Sequence, residues 1–190
     1  MRFHICGFAS VFCLVAAHAA QTTEIKSGLQ PGELTSCLHV HWAIGGPNPG
    51  NAWTRPGIGC ITCWISEFKN PPNSVTLVFI RKVDARVLNL VKALDTVVPK
   101  YGGVVCGLGD VDQKDLQKLE PHATKMPLTV SEMDAKLEQK WKLNAEAEVT
   151  IIVYDTSSRT TANFAFRKTD ELTTDKIGEI VTVAGNKPTK

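Results

Sequence analysis

Val75-Thr76-Leu77-Val78-Phe79-Ile80, then Asp84-Ala85-Arg86-Val87-Leu88-Asn89-Leu90-Val91-Lys92-Ala93-Leu94-Asp95-Thr96-Val97-Val98, is the stretch on which the fold turns. The first run carries no charge and no turn former, so it reads as a strand buried on both faces. After it, Val87, Val91, Leu94 and Val98 recur at helical spacing, and Leu88 and Val97 widen the apolar stripe. Asp84 is a favoured N-cap and complements the helix dipole, while Gly102-Gly103 ends the unit. A buried strand feeding an amphipathic helix is the first half of a right-handed crossover, which predicts a parallel pairing with the next strand.

Downstream the pattern continues. Val104-Val105-Cys106 is a second short buried strand, and Gln113 to Leu119 a second helix. Leu128 to Val130 reads as a strand or extended segment, and Met133 to Trp141 has helical composition. Val149 to Tyr154, a turn over Asp155 to Ser158, and Thr161 to Phe166 (Ala162, Phe164 and Phe166 on one face) predict an antiparallel hairpin. Thr173 to Val183 closes the chain as a helix built on Ile177, Ile180 and Val181. Gly178 weakens it by about 1 kcal/mol relative to Ala. The expected class is α/β: a three-layer sandwich with a central mixed sheet and helices on both faces.

Upstream, Leu34 to Trp42 alternates as a strand should. Gly45 to Gly59 is crowded with Gly45, Gly46, Pro47, Pro49, Gly50, Pro56 and Gly57, and reads as a long loop delivering the chain into Cys60-Ile61-Thr62-Cys63. Residues 20–33 are polar around Pro31-Gly32 and read as a loose lead-in. At the N-terminus, Arg2 precedes an uncharged apolar run from Ile5 to Ala17, and Ala17-His18-Ala19 fits the small-x-small cleavage rule. These features predict a signal peptide over residues 1–19. The run is shorter than the ~20 apolar residues of a spanning helix. The expected organisation is therefore signal peptide 1–19, lead-in 20–33, and one domain over 34–190, divided into an N-terminal strand and loop (34–74) and a core (75–190). The expected location is secreted or periplasmic, with no membrane span after cleavage.

The net charge of +2, from 21 basic and 19 acidic residues, has no basic stripe interleaved with aromatic residues. Nucleic acid is accordingly not an expected partner. Beyond the signal peptide four cysteines remain, Cys37, Cys60, Cys63 and Cys106. They allow three complete pairings, among which the sequence does not choose. An oxidising compartment would favour a disulfide between a close pair such as Cys60 and Cys63.

From about Val75 to Val183 the ordered elements resemble a thioredoxin-like domain, and more closely its peroxiredoxin-type variant. Val75–Ile80 with the Asp84–Val98 helix resembles the central strand and long first helix of that fold, and Val104-Val105-Cys106-Gly107-Leu108 its next strand. Pro127-Leu128-Thr129-Val130, a short helix and Glu148–Asp155 resemble the peroxiredoxin insertion and hairpin. The Cys-x-x-Cys and Ala162–Arg167 together also resemble a group of exported bacterial thioredoxin-like proteins of unassigned function. The resemblance implies a cysteine in the first turn of the long helix, yet Val83-Asp84-Ala85-Arg86-Val87 contains none. Where the family places a cis-proline, before the hairpin's first strand, the chain has Val149. A standard thioredoxin or peroxidase mechanism is therefore not expected.

Cys60 and Cys63 are the candidate catalytic residues, displaced upstream of the fold's usual position. Two thiols at this spacing close a small disulfide ring, and such pairs can carry a lowered thiol pKa. A ring so short constrains the unfolded chain little, so stabilisation alone explains it poorly. Three readings stay open: a redox pair acting on a protein disulfide or other protein partner, a structural bridge in a non-catalytic binding module, and a Zn or Cu site. The last would combine Cys60 and Cys63 with Cys37, His39 and His41, which share one face of a strand. Trp64 stands where haem attachment would need a histidine. The lead reading requires no cofactor. Cys106 is expected to be an inert core thiol, and Asp110, Asp112 and Asp115 a solvated helix start rather than a calcium loop.

Overall fold

A computed structural model of the chain describes residues 25–44, 54–55, 58–66, 72–100, 102–131 and 135–186. The predicted signal peptide lies outside the described residues. The elements run β1 (His39–Ile44), β2 (Thr54–Arg55), β3 (Ile58–Cys60), α1 (Ile61–Ser66), β4 (Ser74–Ile80), α2 (Ala85–Val97), β5 (Gly103–Gly107), α3 (Gln113–Gln117), β6 (Leu128–Ser131), α4 (Ala135–Trp141), β7 (Val149–Asp155), β8 (Thr160–Phe166) and α5 (Thr174–Gly185).

The strands form one sheet in the order β2-β3-β1-β6-β5-β4-β7-β8. β4 pairs in parallel with β5, as the crossover predicts, and antiparallel with β7, whose hairpin with β8 completes that side. Every residue of β4 after Ser74 is buried, as the uncharged run requires of a central strand. Its alternate side chains divide the core. Val78 and Ile80 meet Val87, Leu90, Val91 and Leu94 of α2 and Ile180 of α5. Val75, Leu77 and Phe79 face the other layer with Trp141, Ile152 and Tyr154. The four fully buried α2 residues contribute up to about 1.5–3 kcal/mol each by transfer from water. The Asp84 carboxylate accepts from the backbone N–H groups of Arg86 and Val87, making it the expected N-cap of α2.

Three expectations about the N-terminal third are corrected. The first strand begins at His39 rather than Leu34; Leu34 is 58% exposed and makes only an isolated bridge to Arg159. Within the expected long loop of 45–59, residues 54–55 and 58–59 belong to strands instead, because β1 offers a free edge that β3, and then β2, can extend. Residues 45–53 and 56–57 lie outside the described residues. The lead-in, from Ile25 on, is not loose. Ile25 and Leu29 are buried, the Ser27 hydroxyl hydrogen-bonds Thr150 at 2.6 Å, and the Gly28 N–H donates to the Lys142 carbonyl at 2.9 Å. Gly28 has φ +86°, and a Cβ there would lie 2.6 Å from Asn163 Nδ2, so only glycine lets the chain approach this closely.

The sheet is also curled. Leu34 bridges to Arg159 beside β8, and the Thr35 N–H donates to the Ser158 carbonyl at 2.7 Å. Only five residues later His39 starts β1, which stands five positions from β8 in the sheet. Five strand spacings in a flat sheet are roughly 24 Å, while five residues reach at most about 18 Å. The β3–β1 end therefore folds over the face of β4 and β7. Leu38, Val40 and Ile61 consequently share one apolar cluster with Ile152 and Tyr154.

Candidate functional site

Cys60 is the last residue of β3, and Cys63 lies in the first turn of α1. In the β1–β3 ladder His39 is opposite Cys60 and Val40 opposite Gly59. The Ile61 N–H donates to the Leu38 carbonyl at 2.9 Å, extending the contact one residue past each strand. This register brings Cys37 to the pair. The sulfur atoms of Cys37, Cys60 and Cys63 all lie within 4.8 Å of one another. Cys37 is exposed and the other two are half-buried; none of the three is in a disulfide. Whether the two cysteine segments meet cannot be read from the sequence, and they do meet. The expected disulfide between Cys60 and Cys63 is not formed, and the pair sits at a strand–helix junction rather than in a loop.

Cys60 and Cys63 are electrostatically unequal. Burial pushes the Cys60 thiol up, but hydrogen bonds from Thr62, Cys63 and Cys37 outweigh it and hold Cys60 below its ordinary value. The Thr62 hydroxyl shares a 3.2 Å hydrogen bond with the Cys60 sulfur. Cys63 goes the opposite way: its hydrogen bond to Cys60, then burial, push it up to about 12. When one of two adjacent thiols ionises, the other is held protonated, because its proton stabilises the first charge. Tyr154 is an additional neighbour. Its buried hydroxyl has no hydrogen-bond partner, and burial followed by the Cys60 charge raises its phenol. Neither Thr62 nor Tyr154 stands out in the sequence. Thr62 could have been noticed as the hydroxyl inside Cys-x-x-Cys, whereas Tyr154 reaches this environment only through the curl of the sheet.

Of the two histidines expected to join these cysteines, His39 is the cross-strand neighbour of Cys60 and exposed, while His41 is opposite Val130 of β6. Neither ring belongs to the compact three-sulfur group. Cys106 is 1% exposed, and burial pushes its thiol up to about 12, as expected for an inert core residue. Asp112 caps α3 and Asp115 pairs with Lys118, so the acidic group is the expected solvated helix start.

The fold's usual reactive position, the junction of β4 and α2, is occupied by Arg81-Lys82-Val83-Asp84. Here the Asp84 carboxylate caps α2 and also accepts a 2.6 Å hydrogen bond from the Thr169 hydroxyl. The Glu148 carboxylate accepts from the Thr169 N–H at 2.8 Å, tying the junction to the segment before α5. Carboxylates thus hold the structure where a thiol would react. In hydrogen-bonded order the β3–α1 junction is four strands away. Among the described residues no peptide bond is cis.

No known family profile matches the chain, and no curated protein matches it by sequence. Solved structures do. A peroxidoxin, BcpB of Mycobacterium tuberculosis, superposes with TM-score 0.52 at 10% identity, covering 82% of this chain and 97% of its own. A DsbF homologue from Corynebacterium diphtheriae gives TM-score 0.51 at 16% identity, covering 85% and 95%. A secreted thiol-disulfide isomerase from Corynebacterium glutamicum gives 0.51 at 10%, covering 80% and 86%. At these identities the likeness establishes the fold: the chain has the thioredoxin-like α/β architecture of thiol-disulfide isomerases and peroxiredoxin-type proteins.

Proposed function

We propose that this protein is an exported thiol–disulfide oxidoreductase whose reactive pair, Cys60 and Cys63, has been transplanted from the β4–α2 junction to the β3–α1 junction. The observation that carries the reading is geometric: a half-buried dithiol beside an exposed third thiol, all within 4.8 Å, at a strand–helix junction. Support comes from the fold, which thiol-disulfide isomerases share. Its substrate is a disulfide-bonded protein. Export follows from the signal pattern of residues 1–19, so the protein acts in a secreted or periplasmic setting. Among the described residues no helix is long and apolar enough to cross a membrane.

In the reaction the Cys60 thiolate attacks one sulfur of a substrate disulfide. The substrate S–S bond breaks, a mixed disulfide forms, and the leaving thiolate takes a proton from solvent. Cys63 then loses its proton and attacks the Cys60 sulfur, releasing the second substrate thiol and leaving a Cys60–Cys63 disulfide. Two electrons pass from the pair to the substrate, and an external thiol resets the enzyme. Thr62 assists by hydrogen-bonding the Cys60 thiolate.

The test is insulin-disulfide reduction by the purified protein. Turnover should vanish in Cys60→Ser and Cys63→Ser, with the domain still folded by circular dichroism, and survive in Cys106→Ser. A wild-type protein without turnover, whose Cys60–Cys63 potential lies well below about −300 mV, would make the pair a structural bridge.

A further inference from the structure

A dithiol reaction uses two sulfurs, and this site has three. Cys37 is brought to the pair by the β1–β3 register and by the Ile61-to-Leu38 hydrogen bond, two constraints independent of the Cys60–Cys63 spacing. We infer that the reduced protein captures one zinc ion with Cys37, Cys60 and Cys63, and that His39 supplies the fourth ligand. The inference draws on the same two thiols as the proposed redox reaction but does not require that reaction to occur.

Three arguments support it. Tetrahedral zinc with Zn–S bonds of about 2.3 Å places its sulfurs roughly 3.8 Å apart. Sulfurs already within 4.8 Å of one another reach that spacing by small side-chain rotations, without backbone movement. Strand pairing holds His39 and Cys60, the Ile61-to-Leu38 hydrogen bond holds the chain next to Cys37, and Cys63 is carried by α1, so little ordering is left for the metal to drive. Finally, His39 lies directly across from Cys60. Directly opposed residues of an antiparallel pair project from one face with Cβ atoms about 4.5–5.5 Å apart, so the exposed imidazole can swing onto a cation held by the sulfurs. Three thiolates and one imidazole are a recurrent zinc set. His41, two residues further along β1, is not part of it.

Zinc and the disulfide exclude each other. When a substrate disulfide takes two electrons from Cys60 and Cys63, two ligands become one S–S bond and the ion is released.

The experiment uses the full mature chain, reduced and stripped of metal, titrated with Zn²⁺ against a chromophoric chelator. One zinc per chain is expected. Cys37→Ser should bind roughly a hundredfold more weakly and His39→Ala roughly tenfold or more; protein oxidised at Cys60–Cys63 should bind none. Undiminished affinity in Cys37→Ser, retention of zinc by the oxidised protein, or no binding by the reduced wild type would each overturn the site. Unchanged affinity in His39→Ala would remove His39 from it. Insulin reduction by the metal-free protein separates the two ideas. Turnover without zinc binding defeats only the metal site, and zinc binding without turnover defeats only the oxidoreductase.

Discussion

The Thr169 hydroxyl donates a 2.6 Å hydrogen bond to Asp84 Oδ2, joining the start of α2 to a segment 85 residues further along the chain. The other carboxylate oxygen, Oδ1, accepts the N–H groups of Arg86 and Val87 at 3.0 and 3.1 Å. One side chain therefore caps a helix and fastens a tertiary contact at the place where this fold ordinarily keeps its reactive thiol. Removing an N-cap costs about 0.5–2 kcal/mol, and the lost Thr169 contact adds to it. Asp84→Ala should lower stability by about 2 kcal/mol in urea denaturation; a change within experimental error would show that the cap contributes nothing.

The same carboxylate makes stability pH-dependent. Burial raises the Asp84 pKa, but Thr169, the two backbone N–H groups and Lys82 outweigh it and hold the carboxyl below its ordinary value. Glu148 is likewise lowered: burial opposes, and the Thr169 N–H, Lys168 and Lys82 prevail. A depressed folded pKa means that the unfolded chain takes up protons first. The stabilisation is then complete above the unfolded values near 4 and is lost as pH falls through the folded ones. Thermal midpoints should drop on acidification below about pH 4. Asp84→Asn, which retains a capping oxygen, should show a shallower drop. Parallel profiles for the two proteins would argue against this linkage.

Gly178 lies inside α5, and a Cβ built there meets nothing within 4 Å. With open space and helical geometry, Gly178→Ala should stabilise by about 1 kcal/mol, read as a raised melting temperature. Gly28→Ala should do the reverse. Its positive φ and the 2.6 Å approach of Asn163 Nδ2 leave no room for a methyl group, and a loss of more than about 1 kcal/mol is expected. Equal effects at the two glycines would mean that the lead-in does not pack as described.

Thiol reactivity should sort by position. Brief alkylation of the reduced native protein, mapped by peptide mass, should label Cys37 and Cys60 first, with Cys63, whose thiol is pushed up to about 12, reacting more slowly. Cys106, 1% exposed with its thiol pushed up to about 12, should react only after unfolding. Rapid native labelling of Cys106 would place β5 outside the core.

Much of this architecture is legible locally. The uncharged run of β4, the 3.6-residue stripe of α2 and the alternation in β8 are written in neighbouring residues, because burial on one face imposes a period on the chain itself. The absence of cysteine between Val83 and Val87 is equally local, and with it the loss of the fold's ordinary chemistry. What the sequence could not determine is which distant segments meet. Residues 34–38 alternate as a strand would, yet only from His39 does the chain find a partner in β6 and β3. The lead-in looks polar and loose, yet its own Ile25 and Leu29 are buried. The three-thiol site depends on the β1–β3 register, since a slip of one residue would turn His39 and Cys37 to the opposite face. The curl of the sheet in turn puts Leu38 and Ile61, which flank the site, in one apolar cluster with Tyr154. Strand edges accept any backbone of the right length. Which one fills an edge is settled by burial of the whole chain at once, and so only the tertiary structure placed Cys37 beside Cys60 and Cys63.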